Sequence, residues 1–135
     1  MPSTQASQRG RVLRVFVVED SPLVIERIEA MLASIAGARA IGHSDRADEA
    51  IRAILRERPD VVMLDWQLAQ GSGLDVLRVL NEAAPTTDVY MLSNFASEPY
   101  RRLAERLGAR DFFDKSNEFQ RVREVLAARA AQHVH

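Results

Sequence analysis

Short apolar runs alternate along the chain with segments whose apolar residues recur at helical spacing. A continuous apolar run of about four residues is typical of a strand that is covered on both faces. The second predicted strand has few β-branched residues and carries Arg39, which favours a place at the edge of a sheet. The pattern predicts strands at 15–18, 38–42, 61–64, 89–92 and 110–113.

The segments between these strands have the start and stop signals of helices. Gly37 and Gly108 end the first and fourth helices, because Gly readily adopts the left-handed conformation that closes a helix. Pro59 ends the second. Ser72 and Asp75 have the spacing of a capping box at the start of the third. The pattern predicts helices at 22–36, 45–58, 72–80, 97–107 and 119–129.

Strands that alternate with helices predict right-handed βαβ units and one parallel sheet, so the fold class is α/β and doubly wound, of the (βα)5 type. The 135 residues are enough for one domain. Residues 1–10 are mostly small and polar, which predicts a disordered N-terminal leader. We expect the folded domain at 11–131 and a frayed tail at 132–135.

Composition excludes several classes of function. The 18 basic and 19 acidic residues leave a net charge of −1, so no overall positive field favours nucleic acid or an anionic membrane as a partner. No apolar run approaches the roughly 18 residues of a membrane span. The absence of Cys excludes disulfides, thiol catalysis and Cys-ligated metals, and it is consistent with the cytoplasmic location that we expect.

Polar side chains stand at the ends of four of the predicted strands. Glu19 and Asp20 follow the first strand, Asp65 the third, Ser93 the fourth and Lys115 the fifth. Each residue alone has an ordinary explanation as a helix cap, a turn former or a solvated charge. Ligands of open parallel sheets bind at the carboxyl ends of the strands, so the combination predicts a shared site. Lys115 is the only Lys among the 18 basic residues.

The chemistry of these residue types points to a phosphoryl group and a divalent cation. Three carboxylates within a few Å would repel one another and raise at least one pKa, and a cation relieves this repulsion. Oxygen ligands in a half-open site suit Mg²⁺. One carboxylate can act as a nucleophile and become an aspartyl phosphate. A Lys ammonium and a Ser hydroxyl can then bond the phosphoryl oxygens.

The sequence resembles the receiver (CheY-like) domain of two-component response regulators, of the stand-alone type, over about residues 12–130. The resemblance implies a flavodoxin-like three-layer sandwich whose five-stranded parallel sheet has the order 2-1-3-4-5. The motifs that carry it are VFVVEDSP at 15–22, VVMLDWQLAQGSGLDVL at 61–77, VYMLSN at 89–94 and GARDFFDKS at 108–116.

The resemblance implies a role for each residue of the acidic cluster. Asp65 is expected as the phosphoacceptor and as a metal ligand. Asp20 would bind Mg²⁺ directly, Glu19 would act through water, and the backbone carbonyl of Gln67 would be a further ligand. Mn²⁺ is the alternative ion.

The resemblance also implies residues that bind the phosphoryl group and residues that switch. Ser93, Asn94 and Lys115 would lie against the phosphoryl oxygens. Ser93 and Phe112 would form the switch, with Phe112 turning inward as Ser93 moves; plain core packing explains Phe112 almost as well. Asn94 is bulkier than the usual small residue and would narrow access to the site.

The chain departs from the family at two further positions. Receivers usually carry Pro after the Lys and in the loop after the phosphoacceptor; here these positions are Ser116 and Ala69. A cis peptide before Ser116 would cost about 2.5–4 kcal/mol, so we expect a trans bond and a differently shaped loop.

The resemblance implies a response regulator receiver in a phosphorelay. Asp65 would accept a phosphoryl group from a histidine kinase or a histidine phosphotransfer protein. The chain would not be an enzyme beyond self-catalysed phosphorylation and dephosphorylation. It would signal by conformational switching and contact with a downstream protein, or as a homodimer. The helix with Tyr100, Arg101, Arg102 and Arg106 is the candidate contact face, although a solvated surface explains any single Arg as well.

Three alternatives stay open at this point. A pseudo-receiver would keep the fold and act as a protein-interaction module without phosphorylation, which the changes at Asn94 and Ser116 favour. A nucleotide- or flavin-binding enzyme would need a Gly-rich loop after the first strand, where Glu19 and Asp20 stand instead. DNA binding has little support, since the net charge is near zero and no helix-turn-helix pattern follows.

Overall fold

The computed structural model describes residues 12–94 and 97–133. The predicted leader at 1–10 and the last two residues of the predicted tail lie outside the described residues. The elements are β1 (Leu13–Val18), α1 (Pro22–Ala33), β2 (Ala38–Ser44), α2 (Ala47–Glu57), β3 (Val61–Asp65), α3 (Gly73–Ala83), β4 (Asp88–Ser93), α4 (Glu98–Arg106), β5 (Asp111–Asp114) and α5 (Phe119–His133).

The described strands form one parallel sheet of order β2-β1-β3-β4-β5. This confirms the predicted doubly wound fold and the edge position of β2. The pairing of β1 with β2 shifts between Val15 and Phe16, so that Phe16 pairs with Gly42. A side chain at Gly42 would come 3.2 Å from the Phe16 ring, and the Gly therefore leaves room for this irregularity.

Two apolar layers cover the sheet, one on each face, which makes the three-layer sandwich. Since successive strand residues point to opposite faces, the central strands β1, β3 and β4 contribute to both layers and contain continuous apolar runs. Phe16, Val18, Val62, Leu64 and Met91 pack with buried residues of α2, α3 and α4. Val15, Val17, Met63 and Leu92 pack with buried residues of α1 and α5.

The helix starts follow the sequence signals only in part. Ser72 caps α3, and its hydroxyl accepts a hydrogen bond from the Leu74 N–H at 3.1 Å. The reciprocal half of the predicted capping box is not formed, because the Asp75 carboxylate instead lies 3.5 Å from Arg78. The first helix ends at Ala33, before the predicted Gly37, and Gly37 lies in the turn to β2 with φ of 82°.

The last helix is longer than expected. The pattern predicts it at 119–129, and it continues through His133. Two side chains near its end contact acids at the amino ends of the strands: Arg129 donates to Asp88 at 3.0 Å, and His133 lies 3.5 Å from Asp60. In the described part of the chain, no helix combines the length and apolar character that crossing a bilayer requires.

Gly73 is the position where α3 approaches the end of β3 most closely. A Cβ atom at Gly73 would overlap the backbone carbonyl oxygen of Asp65, which cannot move without disturbing β3. Gly73→Ala should therefore destabilise the protein by about 1–3 kcal/mol or more, in spite of the better helix propensity of Ala. The free energy of unfolding in urea measures this loss.

Gly42→Ala is the matched control, because its Cβ would meet only the ring of Phe16, which is a side chain and can shift. We expect a clearly smaller loss for Gly42→Ala. Equal losses for the two variants would contradict this account of Gly73.

Candidate functional site

The carboxyl ends of the strands form a cavity of about 450 Å³. The strand order places β1 and β3 side by side at its centre, with β4 and β5 beyond β3, so the residues after these strands converge there. The structure brings together every predicted site residue except the switch position Phe112. Those that line the cavity are Glu19, Asp20, Asp65, Gln67, Ser93, Asn94 and Lys115.

Lys115 bridges the two buried acids of the cavity. Its ammonium nitrogen lies 2.8 Å from Glu19 Oε2 and 3.0 Å from Asp65 Oδ2, and it donates a hydrogen bond to Glu19 Oε1 at 3.0 Å. Glu19 and Asp65 are only 1% and 5% exposed. The backbone N–H of Lys115 donates to the carbonyl oxygen of Ser93 at 3.0 Å, which ties β5 to the end of β4.

The three carboxylates of the cavity, those of Glu19, Asp20 and Asp65, outnumber its two basic side chains, Lys115 and Arg27. Burial raises the pKa of Glu19 to about 7; Lys115 opposes this shift and the nearby Asp65 charge reinforces it. Burial also raises the pKa of Asp65, again against Lys115. Burial lowers the pKa of Lys115, but its hydrogen bonds to the two acids outweigh burial, so the net shift is upward.

The acidic cluster fits a small divalent cation. Glu19, Asp20 and Asp65 each offer a carboxylate oxygen, and these oxygens all lie within 4.8 Å of one another. Glu19 Oε2 is buried and receives no hydrogen bond from the described residues, although the Lys115 ammonium lies close. Asp20 is exposed, so the cluster opens to solvent on one side. Oxygen ligands in a half-open site suit Mg²⁺, which keeps several waters.

Phe112 lies in β5, outside the cavity. Its side chain already points into the apolar layer and away from solvent. It is 4% exposed and packs in the layer that faces α2, α3 and α4. Its ring centroid is 6.0 Å from that of Trp66, the residue directly after Asp65. Trp66 also meets Tyr100 of α4 edge to face at 5.2 Å. The motif positions alone gave no reason to single out Trp66, which joins the end of β3 to α4 and β5.

Ser116 and Ala69, the two positions where the resemblance implies Pro, use their N–H groups here. The N–H of Ser116 donates to Asp114 Oδ1 at 2.8 Å. The N–H of Ala69 donates to the carbonyl oxygen of Asp45 at 3.1 Å, which ties the loop after Asp65 to the loop after β2. Proline has no N–H and could make neither bond. Peptide bonds throughout the described residues are trans, including the bond before Ser116.

Arg101 is the clearest difference between the expected contact face and the structure. Its guanidinium turns toward β5 and donates to the carbonyl oxygen of Phe112 at 2.8 Å and to Glu118 at 2.6 Å. It also stands 5.3 Å from the centroid of the Phe112 ring. Arg102 and Arg106, by contrast, are exposed. No local sequence pattern predicts this arrangement, because the partners of Arg101 are 11 and 17 residues away.

Relatives of known sequence share this chain's pattern over nearly its whole length. A protein-glutamate methylesterase/protein-glutamine glutaminase of Geobacter sulfurreducens is 33% identical over 130 residues, which are 93% of this chain and 35% of the relative. Response regulator GacA of Pseudomonas aeruginosa is 28% identical over 120 residues, 86% of this chain and 56% of the relative. The chain therefore spans about a third of the methylesterase and about half of GacA.

Solved structures of receiver domains have the same architecture. The response regulator domain of Thermotoga maritima CheB superposes with a TM-score of 0.78 at 25% identity, covering 91% of this chain and 96% of that domain. The BeF3-activated N-terminal receiver domain of Klebsiella pneumoniae RstA gives a TM-score of 0.75 at 29% identity, covering 90% and 98%.

The family model of the response regulator receiver domain matches residues 15–127, inside the predicted domain at 11–131. The match includes both acids after β1, Asp65, Ser93 and Lys115, which are the residues that the fold brings to one cavity. Sequence pattern, sheet order and the matched region agree, and this chain belongs to the response regulator receiver domain family of two-component systems.

Proposed function

We propose that this chain is a cytoplasmic phosphoacceptor in which Asp65 takes a phosphoryl group from the phosphohistidine of a histidine kinase or a histidine phosphotransfer protein. The observation that carries the proposal is the 3.0 Å contact between Lys115 Nζ and Asp65 Oδ2, in a cavity that holds two further carboxylates. The buried Asp65 carboxylate can act as the nucleophile, and the Lys115 ammonium beside it can neutralise charge on the incoming phosphoryl group.

The transfer is an exchange of one bond for another at phosphorus. An oxygen of Asp65 forms a bond to phosphorus while the phosphorus–nitrogen bond of the phosphohistidine breaks, and the leaving imidazole takes up a proton from solvent. Lys115 and the Ser93 hydroxyl would then bond phosphoryl oxygens, with Asn94 at the rim of the cavity. The phosphoryl group on Asp65 would add negative charge beside Ser93 and attract the Ser93 hydroxyl. The Phe112 side chain would shift with Ser93 as the second part of the switch.

The acidic cluster would hold Mg²⁺, with Mn²⁺ as the alternative. Asp20, Asp65 and the backbone carbonyl of Gln67 would bind the ion, and Glu19 would act through water. Bound Mg²⁺ supplies positive charge against the phosphoryl oxygens. The three carboxylate oxygens within 4.8 Å of one another support this assignment.

The output would be a protein contact with a downstream target or a second copy of the chain. The methylesterase activity is named for relatives of which this chain spans about a third.

Phosphorylation should require Asp65 and Mg²⁺. Incubation with acetyl phosphate and Mg²⁺ should add one phosphoryl group, seen by intact-protein mass spectrometry and on phosphate-affinity gels. Asp65→Asn should abolish the label, because an amide is a poor nucleophile and no carboxylate oxygen remains to attack phosphorus. Asp75→Asn, at an exposed position on α3, should label like the wild type. A wild type without Asp65-dependent label, when a known receiver labels in parallel, would favour a phosphorylation-independent interaction module.

Lys115→Arg should fold but transmit phosphorylation poorly. The planar guanidinium cannot replace a compact ammonium that touches Glu19 and Asp65 at 2.8–3.0 Å. The fluorescence of Trp66, the single Trp, reports on Phe112 and Tyr100, with which it is in contact. We expect a much smaller fluorescence change on phosphorylation than in the wild type. A wild-type response in this variant would mean that the geometry of the cation does not matter.

The protein without metal should lose stability as the pH rises from about 5 to about 8. In the folded state burial raises the pKa of Glu19 from 4.5 to about 7, whereas the unfolded chain keeps the ordinary value. Folded protein therefore holds a proton that unfolded protein has released, and stability falls as the pH passes the folded pKa. The loss is on the order of 3 kcal/mol. Urea denaturation at the two pH values measures it.

Glu19→Gln and Mg²⁺ are the two controls for this pH dependence. Glu19→Gln should flatten most of the loss, since the titrating carboxyl group is gone. Mg²⁺ at pH 8 should restore stability by binding the folded state. The raised pKa of Asp65, caused first by burial, contributes a loss of the same sign. Glu118 and Asp48 have lowered pKa values and titrate below this pH window. Equal stability of the metal-free wild type at pH 5 and pH 8 would contradict the assignment to Glu19.

A further inference from the structure

The turn that carries Lys115 has little apolar packing of its own. Ser116 and Asn117 are exposed, so hydrogen bonds rather than burial must define the shape of the turn. Asp114 is at the centre of these bonds. Its carboxylate accepts from the Ser116 N–H at 2.8 Å and from Asn117 Nδ2 at 3.3 Å, and its carbonyl oxygen accepts from the Glu118 N–H at 2.9 Å.

Glu118 fixes the other side of Asp114. Glu118 Oε1 accepts a hydrogen bond from the backbone N–H of Asp114 at 2.8 Å, directly before Lys115. The same oxygen lies 2.6 Å from Arg101 Nη2. Arg101 in turn donates from Nη1 to the carbonyl oxygen of Phe112. The Arg101 guanidinium on α4 therefore contacts both β5, at Phe112, and Glu118 at the end of the turn.

The Arg101–Glu118 pair is better placed than other ion pairs on α4. Its side chains are 31% and 26% exposed, whereas those of the neighbouring Arg102–Glu98 pair are 72% and 67% exposed. Exposed pairs contribute little because water screens them and their side chains stay mobile. Short, half-buried charge-assisted hydrogen bonds are stronger and fix geometry. The lowered pKa of Glu118, caused first by its hydrogen bond from Arg101, agrees with this.

We infer that Arg101 and Glu118 are positioning residues that hold Lys115 against Asp65 from helix α4. The inference rests on the proposed function, in which Lys115 neutralises the phosphoryl group. The path runs from the guanidinium to Glu118, through the Asp114 N–H, to the backbone of Lys115. α4 also carries Arg102 and Arg106 on its exposed surface. A protein that binds this surface and moves α4 would also move Arg101, and through it Lys115.

The sole lysine of the chain allows a direct test. Protein labelled with ¹⁵N-lysine gives one backbone amide signal and one side-chain ammonium signal, both from Lys115. Arg101→Gln and Glu118→Gln should shift these signals and slow phosphorylation by acetyl phosphate at saturating Mg²⁺ by about tenfold or more, since small misplacements of catalytic groups are costly. The double variant should be little slower than either single one, because the residues act as a unit.

Arg102→Gln and Glu98→Gln are the matched controls on the same helix. They remove an equivalent charge pair and should leave the Lys115 signals and the phosphorylation rate unchanged. If Arg101→Gln fails to fold, Arg101→Lys keeps the charge, loses the forked geometry and should give an intermediate rate. Variants at 101 and 118 with lower melting temperatures but wild-type Lys115 signals and rates would overturn the inference and leave the pair a purely structural role.

The same experiment separates this inference from the proposed function. Wild-type protein that takes no phosphoryl group, while Arg101→Gln still shifts the Lys115 signals, would refute phosphorylation and support the positioning role. Normal phosphorylation of wild type and of both variants, with unshifted signals, would support the proposed function and refute the positioning role.

Discussion

One ammonium group between two buried carboxylates is the interaction on which the site depends. Glu19 and Asp65 lie almost wholly out of solvent, and ionised acids in that position are costly unless a cation meets them. Lys115 meets both, and it comes from a strand two places away from β3. The apolar layers, the strand order and the close approach at Gly73 all bring these three side chains to one cavity. The excess of negative charge that remains is what makes the cavity suited to a cation.

The sequence predicts the sheet and the cavity well because both follow from local rules. Continuous apolar runs indicate strands that are covered on both faces, and residues after such strands meet at one edge. The same rules fail for Ser72 and Asp75, where half of the capping box gives way to a pair with Arg78. They also fail at the end of the last helix. This helix continues through His133, where its side chains contact Asp60 and Asp88.

Arg101 and Glu118 could not be predicted, and the reason is physical. Neither residue stands directly after a predicted strand, where the predicted cavity residues are found. Charged side chains elsewhere are usually solvated. Only the approach of α4 to β5 turns Arg101 away from solvent and onto the carbonyl oxygen of Phe112. The expected contact face is therefore smaller than the sequence suggests. By the reciprocity of coupled equilibria, a protein that prefers one position of α4 would also favour one state of the acceptor.

The far end of α5 has a mechanical consequence. This helix of 15 residues begins next to the turn of Lys115 and, at about 1.5 Å per residue, reaches about 22 Å toward the amino ends of the strands. Arg129 donates to Asp88 there, and His133 lies 3.5 Å from Asp60. Between its ends the helix is buried through Val122, Leu126 and Ala130, so it is held along its length. A helix held in this way resists sliding along its axis, and the position of its first turn, next to Lys115, is therefore tied to the amino ends of the strands.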